Sequence, residues 1–275
     1  MSLTLMYITN RPEVADIAQR AGVDRIWVDM EYIGKEERQA GMNTVKSHHT
    51  IEDVKRLRPV VTTSELLVRV NPIHDGSRQE IEDTISSGAD VIMLPMFRNV
   101  QDVKTFLEIV DGRTKTILLL ETAEAAENIE EILEVSGIDE IHIGLNDLHL
   151  AYCKKFMFEL LADGTVEHLC EIIKRKGIKF GFGGIARVGY GDLPAEMIMT
   201  EHYRLGSQMA ILSRGFCNAN LTPDVRDIEQ IFIDGVTGIR QKEAEIVQYT
   251  PRQYTENLNK IKQRVTEIVK YKLNE

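Results

Sequence analysis

The sequence is poor in cysteine, in long apolar runs and in positive charge, and each scarcity removes a class of protein. Three cysteines in 275 residues, Cys153, Cys170 and Cys217, show no paired spacing. That pattern excludes a disulfide framework or a cysteine-based zinc site, and fits free thiols in a reducing compartment. No uninterrupted apolar stretch approaches the roughly 20 residues that span a bilayer, and no charged-then-apolar leader opens the chain. A soluble, cytoplasmic protein is expected. Against 43 Asp and Glu stand only 33 Lys and Arg, a formal charge of −10. Nucleic acid and anionic membranes both require a basic surface, so neither is an expected partner.

What is present is a repeat of short β-rich runs separated by amphipathic stretches. The runs are LTLMYIT (3–9), RIWVDM (25–30), ELLVRVN (65–71), VIMLPM (91–96), KTILLLET (115–122), EIHIGLND (140–147), KFGFGGI (179–185) and SQMAILSR (207–214). Several are apolar almost throughout, as parallel strands covered on both faces must be. Glycines just before the next run, such as Gly22, Gly88 and Gly206, read as helix C-terminal caps. Eight such units predict an α/β fold, a closed (β/α)8 TIM barrel over residues 1–219. Residues 220–275 break the repeat and read as a C-terminal helical extension. Its last helix opens on Thr250 as N-cap, Pro251 at the first helical position and Gln253 as capping-box partner. Tyr254, Leu258, Ile261, Val265 and Ile268 form a narrow seam that needs a partner, either the chain's own barrel or a second subunit.

In such a barrel all strand C-termini open on one face, so residues distant in sequence converge there. They are Asp29 and Glu31, Arg69 and Asn71, Glu121, Asn146 and Asp147, and Arg214. Strand parity puts Ile117, Leu119 and Glu121 on one inward column. The same count groups Ile141, Ile143, Leu145 and Asp147 and sends His142 to the opposite face. A carboxylate ending a dry column needs a cation or hydrogen-bond donors, and a divalent metal would satisfy Glu121 and Asp147 together. The plainer alternatives are a helix N-terminal acid at Glu121, a loop cap at Asp147 and simple pairing of Asp29 and Glu31 with Arg69. Five glycines in GFGGIARVGYG allow Gly183 and Gly184, with Arg187 or Arg214, to hold an anionic tail; tight turning explains them equally well. Nothing else supports a dinucleotide site.

Taken in order, VDMEY, LLVRVN, GADVIMLPM, ILLLETAEAAENIEEIL and GIDEIHIGLNDLHL resemble the HpcH/HpaI aldolase family. That family is related to the citrate lyase β-subunit group within the pyruvate/phosphoenolpyruvate barrels. The likeness spans about residues 3 to 215 and is most specific from 117 to 150. It implies Glu121 and Asp147 as metal ligands, for Mg²⁺, Mn²⁺ or another divalent ion. It implies Arg69 as the residue that neutralises an enolate, and Gly144, Leu145, Asn146 and Asp147 as the binding place of a substrate carboxylate. The activity implied is a class II aldolase, a carbon–carbon lyase acting on a 2-oxo acid or aldehyde substrate, in a homo-oligomer. The citrate-lyase-like branch implies instead an acyl-CoA or phosphoenolpyruvate-type lyase. A metal-dependent ligand-binding barrel without turnover is the non-enzymatic reading.

One departure is specific. Aldolases of the family carry D-x-E-H where this chain has Asp29-Met30-Glu31-Tyr32. Tyr32 is then the acid/base candidate by position, with Asp29 and Glu31 as its partners, though a phenol is a poor base near neutrality. His48, His49, His74 and His149 are the alternatives. Ser86 and Ser87 stand where the family often has an acid reaching a neighbouring subunit.

Overall fold

All eight expected strands form in the computed structural model, which describes residues 2–34, 48–222 and 224–272. They are β1 (Thr4–Ile8), β2 (Arg25–Asp29), β3 (Glu65–Arg69), β4 (Val91–Leu94), β5 (Lys115–Leu120), β6 (Glu140–Ile143), β7 (Lys179–Ile185) and β8 (Met209–Leu212). They pair in parallel in sequence order, and β8 closes on β1 with Thr4 beside Met209. Except for β7, which keeps its full run, the strands are shorter than the apolar runs because the last residues of each run leave the ladder.

Alternation along each strand divides the core in two. Met6, Trp27, Leu67, Val91, Met93, Ile117, Leu119 and Met209 fill the barrel interior. The larger core, between strands and helices, takes Ile26, Val28, Leu118, Leu120, Ile141 and Ile143. Ile141 and Ile143 therefore face the helices, and Glu140 and His142 face inward, which corrects the parity inferred for β6. The count from Asp147 failed because β6 ends at Ile143. Gly144 is the N-cap of a helix over Leu145–Ala151, so Asp147 is a third helical residue and not a strand residue. On β5 the inferred inward column of Ile117, Leu119 and Glu121 agrees with the interior cluster.

The N-terminal end of the barrel is plugged by charge. Arg25, 1% exposed, donates from Nη1 and Nη2 to Glu140 at 2.5 and 2.9 Å, and from Nε to Glu65 at 2.7 Å. Lys115 reaches Glu65 at 2.6 Å and Lys179 reaches Glu140 at 3.2 Å.

A helix over Val225–Ile246 packs between those over Pro12–Arg20 and Ala195–Leu205, filling the eighth place in the outer ring. The last helix, Pro251–Lys272, lies outside the ring against the helices over Ala195–Leu205 and Glu159–Ala162. Its capping box forms: Gln253 Oε1 accepts from the Thr250 N–H at 2.9 Å, and Thr250 Oγ1 accepts from the Gln253 N–H at 3.4 Å. Ile261 and Val265 are buried on the chain's own barrel, each contributing about 1.5–3 kcal/mol. Asn257 fixes the register by donating to Met197 O and Glu201 Oε1 at 3.0 and 2.9 Å. Among the described residues no helix is long and apolar enough to cross a membrane.

Candidate active site at the barrel mouth

At the C-terminal end of the strands lies a cavity of about 270 Å³, bordered by Trp27, Asp29, Arg69, Glu121, His142, Gly144, Leu145, Asn146, Asp147 and Arg214 among others. Most of the site residues expected from the sequence meet here. Asp29 and Arg69 are Cα partners in the β2–β3 ladder and both point inward, so their side chains are forced together. The pair is bidentate, Nε to Oδ1 at 2.7 Å and Nη2 to Oδ2 at 2.8 Å, and Glu31 adds a contact to Nη1 at 3.2 Å. The guanidinium also stacks over Trp27, 5.1 Å from the ring centre. Burial pulls the Arg69 pKa down, but Asp29, Glu31 and Glu121 outweigh it and the net direction is up. Arg69 is thus a permanent cation held in place by two carboxylates.

Glu121, one residue beyond β5, is 3% exposed. Its Oε1 accepts the Met96 N–H at 3.2 Å. Met96 has φ +52°, a left-handed conformation costing a non-glycine residue on the order of 1–3 kcal/mol, and it aims that amide at the carboxylate. On the other side Gly144 gives way: a Cβ there would lie 2.9 Å from both Cβ and Oε2 of Glu121. Behind the mouth is a second cavity of about 250 Å³, bordered by Met96, Arg98, Glu121 and Asp147. Glu121 and Asp147 thus border two cavities in common.

Among the described residues no three His, Cys, Asp or Glu are grouped to hold a metal, so the donor set found there is the two carboxylates. That set does not fit a structural zinc site, which needs four protein ligands. It fits a hard, hydrated cation such as Mg²⁺, which binds through one or two carboxylates and fills its remaining positions with water and substrate oxygens. Glycine at 144 leaves beside Glu121 Oε2 the room that a Cβ would fill.

Tyr32 is not drawn into this cluster. Its side chain is 66% exposed, and its N–H, like that of Ile33, donates to Asn71 Oδ1, at 2.9 and 3.0 Å. Asn71 organises the rim and is itself held by Glu80, which also takes His74 at 3.2 Å. His149 bonds Leu145 O within its own helix. His49 does return to the mouth: its Nδ1 accepts the Asp29 backbone N–H at 3.0 Å. With its Nδ1 lone pair used in this bond, the neutral ring carries its proton on Nε2. Of the residues considered for an anionic tail, Gly183, Gly184 and Arg214 border the mouth, whereas Arg187 stacks on Tyr190 at 4.3 Å.

His142 was missed. Its ring occupies the space where Gly181 lacks a side chain, 2.9 Å from a would-be Cβ, and Nε2 bonds Gly183 O at 3.1 Å where β7 bulges against β8. Burial lowers its pKa to about 4 despite the opposing carbonyl bond. Counting parity from Ile141 and Ile143 alone, β-branched residues that suit the helix-covered face, would have found it. No sequence signal marked Met96.

A family model described as HpcH/HpaI aldolase/citrate lyase matches residues 3–155, more than half of the chain. The chain belongs to that family. Membership places it with the lyases of the pyruvate/phosphoenolpyruvate barrels, and so among enzymes. A comparison with curated protein sequences gives no match. Among solved structures, an HpcH/HpaI aldolase/citrate lyase family protein from Burkholderia cenocepacia J2315 superposes with TM-score 0.62 at 14% identity, covering 90% of this chain and 95% of that one. The HpcH/HpaI aldolase from Desulfitobacterium hafniense DCB-2 gives 0.57 at 18%, covering 87% and 93%. The citrate synthase SbnG gives 0.60 at 17%, covering 83% and 94%. At these identities the likeness shows the shared barrel.

Proposed function

We propose that this HpcH/HpaI-family protein is a divalent-metal-dependent carbon–carbon lyase of the class II aldolase type, acting on a 2-oxo acid through a pyruvate-like enolate. The observation that carries the reading is the convergence of Glu121, Asp147 and Arg69 on one cavity at the C-terminal face. Glu121 and Asp147 would hold the cation, Mg²⁺ or Mn²⁺ by donor type. When bound, it supplies the positive charge that the oxygens of a 2-oxo acid chelate and that a developing enolate requires. Arg69 places a second, permanent positive charge beside the same space, and Asp29 and Glu31 hold its fork in one orientation. Gly144, Leu145 and Asn146 border the cavity on the side where the acid's carboxylate would lie. Trp27 and Leu119 wall the inner end and exclude water from beneath the reacting carbon.

The test is exchange of the pyruvate methyl protons for solvent deuterium, followed by NMR with Mg²⁺ or Mn²⁺ present. Wild type should exchange. Glu121→Gln should lose both exchange and the metal-induced rise in melting temperature. A wild type inert with either ion overturns the proposal. The outward Tyr32 side chain favours a second reading, a barrel that binds metal and 2-oxo acid without turning over; it predicts the thermal shift without the exchange.

A further inference from the structure

The turn that follows β2 carries Glu31 to Arg69, and its backbone leaves the ladder on the way. Met30 N–H still bonds β3, at Arg69 O and 3.0 Å, while Glu31 N–H turns to the Asp29 side chain at 3.3 Å. The amides of Tyr32 and Ile33 then need an acceptor that the ladder no longer provides. Asn71 Oδ1 takes both, at 2.9 and 3.0 Å. Glu80, in the first turn of the helix over Ser77–Ser86, holds that carboxamide. Its Oε1 accepts Asn71 Nδ2 at 2.7 Å and the Asn71 N–H at 3.2 Å; the other contact of Nδ2, to Met30 O, is longer at 3.5 Å. Two N–H donors on one side and a carboxylate on the other leave the amide one favourable orientation, oxygen toward the turn. Glu80 is held in its turn, with Oε2 3.2 Å from His74 Nε2. His74 Nδ1 accepts the Gly76 N–H at 3.0 Å, so the neutral ring carries its proton on Nε2 and donates it to Glu80. Asn71, His74 and Glu80 thus belong to one short stretch, yet the amides they hold lie 38 and 39 positions before Asn71.

We propose that Glu80 is a positioning residue of the barrel mouth: acting through Asn71, it fixes residues 31–33 so that the Glu31 carboxylate meets the Arg69 fork. Glu31 Oε2 lies 3.2 Å from Arg69 Nη1, the arm that remains when Nε and Nη2 pair with Asp29. Asp29 takes its place from the β2 ladder itself, as the Cα partner of Arg69. Glu31 lies two residues beyond β2 and depends on the turn. Without the Glu80 carboxylate the Asn71 side chain loses its shortest bond and its fixed orientation, the two amides lose a common acceptor, and Glu31 is held less closely to Nη1. The plainer role for Glu80, an acid favoured by the dipole in the first turn of a helix, predicts an effect on stability and none on the turn. The part played in catalysis rests on the lyase reading above; the hold on the turn does not.

The experiment compares four forms of the full chain: wild type, Glu80→Ala, Asn71→Asp, and the double variant that joins Asn71→Asp to Glu80→Gln. Glu80 is half-buried on a helix and alanine favours helix, so Glu80→Ala should keep the cooperative urea unfolding that checks the fold. Asn71→Asp sets two carboxylates against each other. The double variant restores the bond with its direction reversed, the new carboxamide donating to the new carboxylate and still accepting from His74. Amide hydrogen exchange at Tyr32 and Ile33 should be about tenfold faster in each single variant than in wild type, and should return toward the wild-type rate in the double variant. With Mg²⁺ and pyruvate, kcat for methyl-proton exchange should fall by about 10- to 10²-fold in the single variants and recover in the double variant. The metal-induced rise in melting temperature, which reads Glu121 and Asp147, should persist in all four. Amides that exchange alike in all four forms, or no more slowly in the double variant than in Asn71→Asp, overturn the hold on the turn. Faster amides with an unchanged kcat overturn the positioning role. A wild type inert toward pyruvate overturns the lyase reading alone, and the amide rates then decide the hold on the turn.

Discussion

The two ends of the barrel are built from the same side chains and do opposite things. At the base β2 contributes Arg25 and β3 contributes Glu65; at the mouth β2 contributes Asp29 and β3 contributes Arg69, again as ladder partners. The base carries three cations, Arg25, Lys115 and Lys179, on two carboxylates, Glu65 and Glu140, in a bonded plug. Among the described residues the mouth carries four carboxylates, Asp29, Glu31, Glu121 and Asp147, and two arginines, Arg69 and Arg214, and it opens on a cavity. A buried ion pair is therefore no signature of function. The cavity beside the charges is the informative feature, because a ligand that enters it meets them between low-dielectric walls.

The comparison breaks most readily at the base. Arg25→Ala removes the two shortest bonds of buried Glu140 and leaves it only Lys179 at 3.2 Å, and the expected loss is about 3–5 kcal/mol in urea unfolding. A loss below about 1 kcal/mol would show that the plug is dispensable and that the contrast between the ends is false. The next effect comes from the waist of the barrel, between base and mouth. Burial keeps His142 neutral down to about 4, and burial together with the His142 charge keeps His202 neutral down to about 3. The unfolded value is about 6.5, so the unfolded chain takes up protons that the folded rings refuse. Stability is whole above about pH 6.5 and falls as the pH drops toward 4, by about 1.4 kcal/mol per pH unit for each ring. Urea unfolding at pH 7 and pH 5 measures it, and His202→Gln should flatten the slope. An unaltered slope would assign the acid limb to carboxylates. The smallest effect is at the mouth. Without metal, Glu121→Gln removes one charge from an acidic cluster and should raise stability by on the order of 1 kcal/mol, the usual trade between stability and a functional site. If it lowers stability instead, Glu121 is held by its donors as securely as the acids of the base, and the two ends differ less than their charge count suggests.

Much of the barrel was legible because parallel strands covered on both faces must be apolar runs, and eight of them in alternation admit few topologies. Glu121 was legible for a related reason: it continues a β5 column whose parity holds to the end. Asp147 was legible as a residue but not as a position. A strand cannot be told from the first turn of the helix that follows it when both are apolar, and the step at Gly144 reversed the face of every residue counted back from Asp147. That reversal hid His142. Tyr32 stood out by its place in a motif, whereas its outward side chain follows from two amides captured by Asn71, a contact across 39 positions. The placement of His49 was equally invisible, because its ring bonds the backbone of Asp29, 20 residues earlier.

By itself the sequence determined the strand count, the parallel barrel, the family and the identity of the acids and the arginine at the mouth. These are properties of local pattern, where hydrophobic periodicity and residue type suffice. Only the tertiary structure decided that Arg69 is already clasped by Asp29 and Glu31, and that Gly144 and Met96 shape the space around Glu121. Each of those depends on distances between segments far apart in the chain, which closure of β8 onto β1 sets and no local pattern records.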